Sequence, residues 1–152
     1  MSSKIAEALA TFFYIGKIPP APGSLASIVG GLFWIYLQNN LLAFFVLLAV
    51  ITIAGFWSSG ITEKMQGEKD PSCIVIDEVA GAMIAFFMVP TTWPYLITSY
   101  FLFRAFDMFK LYPVNKFENL PGAVGVMADD LIAGIYANVT IHLAIILMPM
   151  FY

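Results

Sequence analysis

The chain has 152 residues, 61% of them hydrophobic and 11% charged, with a net charge of −3 and a single cysteine. Soluble globular domains carry about 25% charged residues, so this balance points to a membrane protein, against the alternative of a soluble helical domain with an outsized core. It gives no basic field for nucleic acid and excludes an internal disulfide framework, and it argues against a redox or zinc role for Cys73, since Cys73 and His142 are the only residues of their kinds.

The N-terminal stretch "MSSKIAEALATFFYIGK" has a lysine and an apolar run, but Glu7 interrupts it and no small-residue cleavage site follows. It is expected to stay in the mature protein as an amphipathic interfacial segment. Five apolar segments come next, at residues 24–37, 41–57, 79–89, 95–103 and 131–148, separated by turn signals such as "QNN" and "PTTWP". Backbone groups in lipid must pair within their own segment, so these read as helices and the fold class as all-α. A full span needs about 20 residues. The third segment reaches that length only by starting near Ile74, and the fourth by running on to Lys110. Gly30, Gly31, Gly55, Gly81 and Gly134 would let such helices approach closely. No Ser/Gly-rich linker or low-complexity tract divides the chain, and 1–152 is read as one domain.

Charge falls in three stretches. Lys4, Glu7 and Lys17 make the first, residues from Glu63 to Glu78 the second, and residues from Arg104 to Asp130 the third. "QNN", "PTTWP" and the tail "MPMFY" carry none. Five crossings put all three stretches on one side of a membrane, and the positive-inside rule makes that side cytoplasmic.

Within these stretches, "FRAFDMFKLYP" spaces Arg104, Asp107 and Lys110 three apart, one polar stripe on a helix. Such a stripe is either a snorkelling ion-pair ladder or a phosphate grip, with the arginine bidentate and the lysine a point charge. "IDEVAG" and "MADDLIAG" place the pairs Asp77–Glu78 and Asp129–Asp130 before apolar runs. The helix dipole accounts for one acid at each helix start. It leaves two pairs plus Asp107 unexplained. Five carboxylates at a low-dielectric interface need a counter-charge, which Mg²⁺ would supply while bridging to phosphate. All five are candidates for metal binding and catalysis. Lys64 is a further phosphate candidate, and Glu63 and Asp70 are outer members of the cluster. "PPAPGSLAS" is a Pro/Gly loop entering a helix. Ser24 could cap that helix, or Ser24 and Ser27 could hold phosphate with the first N–H groups. His142 lies in the last apolar run and reads as a packing or helix-pairing histidine.

Absences narrow the chemistry further. No Cys-(x)5-Arg loop, no Asp-x-Asp pair and too few histidines remain for the thiol, aspartyl-phosphate and histidine-nucleophile phosphatases. The spaced acidic signature of CDP-alcohol phosphotransferases is missing too.

Four motifs in order, over about 19–134, make the chain resemble the phosphatidylglycerophosphatase A family. They are "PGSLAS" at Pro22–Ser27, "DEVAG" at Asp77–Gly81, "FRAFDMFKLYP" at Phe103–Pro113 and "GVMADDLIAG" at Gly125–Gly134. Ser24 stands where the family has Thr, Ala26 where it has Gly, and Leu111 where a Pro follows the lysine. The resemblance implies an all-helical, Mg²⁺-dependent enzyme of the bacterial cytoplasmic membrane. Its substrate would be a membrane phospholipid, phosphatidylglycerophosphate, dephosphorylated to phosphatidylglycerol. Dephosphorylation of another lipid phosphomonoester is the nearest alternative. A small ion-coupled transporter is the alternative from another class, and it predicts charge through the depth of the bilayer or on both faces.

Overall fold

The computed structural model describes residues 1–117 and 119–150. Among them the regular structure is helical: α1 (Ser2–Ala10), α2 (Pro22–Leu37), α3 (Leu41–Gln66), α4 (Ile76–Phe86), α5 (Trp93–Phe109), the single turn α6 (Val114–Phe117) and α7 (Ala123–Leu147). Glu118, one of the acids of the third charged stretch, lies outside the described residues.

Two helices, α3 and α7, are long and apolar enough to cross a membrane. At 1.5 Å per residue they measure about 39 and 37 Å. The expectation of five spans is met only in part. Helix α4 starts at Ile76 and holds 11 residues, about 16 Å and half the thickness of a bilayer core. It is short because it is central. Helices α2, α3, α5 and α7 all pack against it, and Val79, Ala80, Ala82, Met83 and Ala85 are fully buried. A helix enclosed by protein need not match the lipid thickness. Helix α5 runs to Phe109 and ends with Lys110 in its C-cap, close to the expected boundary. Helix α1 is anchored on α3, with Ala6 and Ala10 buried and the Ala10 carbonyl accepting from the Val75 N–H at 2.9 Å.

The two ends of the bundle differ chemically. At one end the uncharged turns meet: Thr91 Oγ1 is 3.5 Å from Gln38 Oε1, and Trp34 Nε1 donates to the Val89 carbonyl at 2.9 Å. The Trp34, Phe44 and Phe87 rings pack there with centroids 5.4–5.6 Å apart, each pair contributing about 0.5–1.5 kcal/mol beyond its burial. His142 belongs to this end, Nδ1 lying 2.8 Å from the Asn138 carbonyl oxygen and Nε2 3.3 Å from that of Met88. It ties α7 to the α4–α5 turn, the helix-pairing role expected of it. At the other end α2, α4 and α7 begin and α3 and α5 finish, and there the charged residues gather.

Candidate active site

Helices α4 and α7 approach so closely that no side chain fits between them. A Cβ on Gly81 would stand 2.5 Å from the Asp130 carbonyl oxygen, and one on Gly134 would overlap the Gly81 carbonyl. Asp77 precedes Gly81 by four residues and Asp130 precedes Gly134 by four, one helical turn in each case. The glycine crossing therefore sets the two aspartates side by side. Carboxylate oxygens of Asp77, Asp129 and Asp130 all lie within 4.8 Å of one another, and the three residues are 3–5% exposed. Asp129 Oδ1 accepts from the Asp130 backbone N–H at 2.9 Å, which fixes its rotamer.

The two pairs sit differently on their helices. Asp77 and Glu78 occupy the first turn of α4, as expected. Asp129 and Asp130 do not begin their helix: α7 starts at Ala123 and its first turn has no acid. The dipole falls off within one turn, so it cannot account for them.

Helix α5 supplies the cations. Phe103 is fully buried and packs on Gly81, which points the next residues at the cluster. Arg104 Nη1 donates to Asp107 Oδ2 at 2.8 Å and, more weakly, to Glu78 Oε1 at 3.4 Å. Both contacts use Nη1, which leaves Nη2 and Nε of the guanidinium fork for an incoming oxyanion. Lys110 ends the helix in a left-handed conformation, φ 45°, uncommon for a residue with a Cβ and concentrated at functional sites. Its Nζ reaches Asp129 Oδ2 at 2.8 Å. Leu111, where the family has proline, does not turn this lysine away.

Helix α2 closes the third side. Gly23 abuts the Glu78 carboxylate, which would have to shift to admit a Cβ at this position of "PGSLAS". Ser24 lines the cleft. Ser27 does not: buried, it donates to the Gly23 carbonyl one turn back at 2.8 Å. The loop before α4 closes the fourth side with Asp70, Pro71 and Ser72. Asp70 has φ 51°, and its N–H donates to Glu63 Oε1 at 2.8 Å. Glu63 thus tethers the loop from outside the cleft. Burial, then the neighbouring Asp129 charge, push the Asp70 carboxyl up to about 6. Lys64 is exposed on the last turn of α3, away from the cleft lining.

The result is one cleft of about 350 Å³ in which Asp70, Asp77, Glu78, Arg104, Asp107, Lys110, Asp129 and Asp130 converge with Ser24. Asp77 Oδ1 and Glu78 Oε2 are buried there without a hydrogen-bond partner. Orphaned acceptors of this kind normally find a partner, and a carboxylate-rich pocket with cations along one wall suits a hard divalent cation together with an oxyanion. Pro71, Ser72 and Met108 also line the cleft. Sequence reasoning missed them, and only the nearness of Ser72 to Asp70 and Asp77 could have flagged it.

A family model for phosphatidylglycerophosphatase A matches residues 8–145. The chain is 39% identical to a protein of Bacteroides thetaiotaomicron named "putative phosphatidylinositol-3-phosphatase", over 90% of this chain and 91% of that one. It is 33% identical to phosphatidylglycerophosphatase A of Haemophilus influenzae, over 88% and 84% of the two chains. The same enzyme of Escherichia coli is also 33% identical, over 84% and 76%. No solved structure matches the chain.

Proposed function

The chain belongs to the phosphatidylglycerophosphatase A family, and we propose that it hydrolyses the terminal phosphomonoester of phosphatidylglycerophosphate. The products are phosphatidylglycerol and phosphate, released at the cytoplasmic face of a bacterial inner membrane. One observation carries the reading: Arg104 and Lys110 face Asp77, Asp129 and Asp130 in one cleft at the charged end of an apolar bundle.

Hydrolysis forms a bond from water oxygen to phosphorus and breaks the bond from phosphorus to the glycerol oxygen. A proton leaves the water and one reaches the departing alkoxide. Arg104 offers its unused nitrogens to two phosphoryl oxygens, and Lys110 adds a point charge as it exchanges Asp129 for substrate. Asp107 and Glu78 hold the guanidinium plane in place. Glu78, whose Oε2 has no hydrogen-bond partner, takes the role of carrying the proton lost by the water toward the leaving oxygen. Asp77, Asp129 and Asp130 would hold Mg²⁺, with Glu78 and Asp107 beside them. A cation held there would supply activation of a water and charge compensation at the phosphoryl group.

A second reading has its own support. The 39% identical relative bears the name of a phosphatase for phosphatidylinositol 3-phosphate, also a lipid phosphomonoester. The transporter alternative fares worse, because the charged residues collect at one end and the turns at the other carry none. The deciding assay is phosphate release by purified protein from phosphatidylglycerophosphate and from phosphatidylinositol 3-phosphate, each with Mg²⁺ and with chelator. Turnover of the first that chelator abolishes supports the reading. Preference for the second lipid moves the assignment to it, and release from neither refutes both. For orientation, cysteines placed at Gln66 and Asn119 in a Cys73→Ser background should label from the cytoplasm, and one at Asn39 from outside. Labelling of all three from one side contradicts the proposed topology.

A further inference from the structure

Outside the charged cleft, a groove of about 480 Å³ runs between α2 and α5. Ile28, Leu32 and Ile35 form one wall, Ile97 and Phe101 the other, and Phe86 of α4 lies at its floor against Gly31. The walls are open to the outside of the bundle: Ile28, Leu32, Ile97 and Phe101 are exposed.

Helical register joins this groove to the cleft. On α2, Ser24 lines the cleft while Ile28, Gly31 and Ile35 line the groove, at steps of four, three and four. On α5, Ile97 and Phe101 line the groove while Arg104 and Met108 line the cleft, again at steps of four, three and four. Residues at those steps share one helix face. The groove is therefore the apolar continuation of the face that carries the phosphate grip. From Ser24 to Ile35, and from Arg104 back to Trp93, is eleven residues on each helix, about 16 Å. Trp93 stands exposed at the far end, as aromatic anchors do at a membrane surface. The groove thus runs across the apolar layer from the charged end toward the uncharged one.

We infer that this groove takes one acyl chain of the lipid substrate, so that the chain is a recognition element and not only a membrane anchor. The inference rests on the reading that the substrate is a lipid phosphomonoester. A phosphate held between Arg104 and Lys110 leaves the glycerol backbone near the Met108 rim, from which a chain enters the groove between Ile28 and Phe101. Binding energy gathered along the chain would then hold the phosphate in the cleft.

The test is the ratio of kcat/KM for dioleoyl over dihexanoyl phosphatidylglycerophosphate, measured in the same detergent micelles with Mg²⁺. Ile97→Trp and, from the opposite wall, Ile28→Trp fill the groove. Each should lower the ratio about tenfold or more, as expected for expelling a few methylenes from an apolar site. Val50→Trp, on the outer face of α3 where Val50 is exposed, makes the same change away from the groove and should leave the ratio alone. A ratio unmoved by both groove variants, or moved equally by Val50→Trp, overturns the inference and makes the groove ordinary lipid-facing surface. A parent that releases phosphate from neither lipid overturns the proposed activity instead.

Discussion

Asp77 and Glu78 stand in the first turn of α4, where exposed N–H groups and the helix dipole favour negative charge. Asp129 and Asp130 are the seventh and eighth residues of α7, two turns in, beyond the unpaired N–H groups of the helix start. The local sequences are nearly the same, an acidic pair followed by small residues and a glycine. The difference teaches that one pair could be explained by its own helix and the other cannot. What meets them comes from other helices: Lys110 at the end of α5 pairs with Asp129, and Asp77 of α4 lies beside both. Carboxyl groups kept buried, with other carboxyls and orphaned oxygens alongside, are the usual mark of a site built for a ligand.

The comparison can be broken at α5, which pairs with both. Arg104→Lys keeps the charge but loses the fork that reaches Glu78 and Asp107 through one nitrogen. Phosphate release should fall about 10²-fold, the usual cost of removing one donor aimed at developing negative charge. A lysine variant of full activity would reduce Arg104 to a brace between two acids. A smaller effect is expected at the crossing that joins the pairs. Gly134→Val forces a side chain into the Gly81 carbonyl, and the melting point should fall by the equivalent of about 1–3 kcal/mol together with activity, as Asp130 moves away from Asp77. The smallest effect sharpens the point. A Cβ on Gly60 would meet only the Ala123 Cβ, at 3.4 Å. Gly60→Ala should therefore leave stability unchanged or raise it by about 0.5–1 kcal/mol through helix propensity, measured by the same melt. Equal losses at Gly60 and Gly134 would show that glycine matters here for general bundle packing and not for the aspartate pairing.

Much of this was legible from the sequence, for identifiable reasons. Apolar runs and turn residues located the helices to within a few residues, except where residues with polar character continue a helix, as "SSGITEKMQ" does in α3. The length of α4 was not legible. A buried helix and a spanning one share an apolar composition, and only the ring of packed neighbours distinguishes them. The acidic and basic site residues could be named because charge is rare in this chain and each instance asks for an explanation. Their standing could not be ranked. Glu63 and Asp70 look alike in the sequence, yet one tethers the loop and the other faces the cleft. Lys64 falls outside only because of where the last turn of α3 points it. Ser27 shows the limit from the other side, since its hydroxyl satisfies its own helix, an outcome that spacing does not forecast. The start of α7 is not legible either, because "GAVGVMA" gives a weak start signal, so Asp129 and Asp130 read as helix-start acids although the helix begins at Ala123.

The central claim is that Asp130 belongs to a cation and phosphate site and is not a helix-start acid. The most direct measurement is thermal melting of the parent and of Asp130→Asn, each without and with Mg²⁺, with phosphate release followed in the same preparations. Asp130→Asn removes one of three crowded buried carboxyl groups at nearly constant shape. The account predicts that the metal-free variant melts no lower than the metal-free parent, because an ionisable group that is costly to bury beside two others is removed. It predicts that Mg²⁺ stabilises the parent but the variant much less, since a ligand stabilises a fold only as far as it binds the native state, and that phosphate release is nearly lost. A variant that turns over normally, with the parent's response to Mg²⁺, would contradict it.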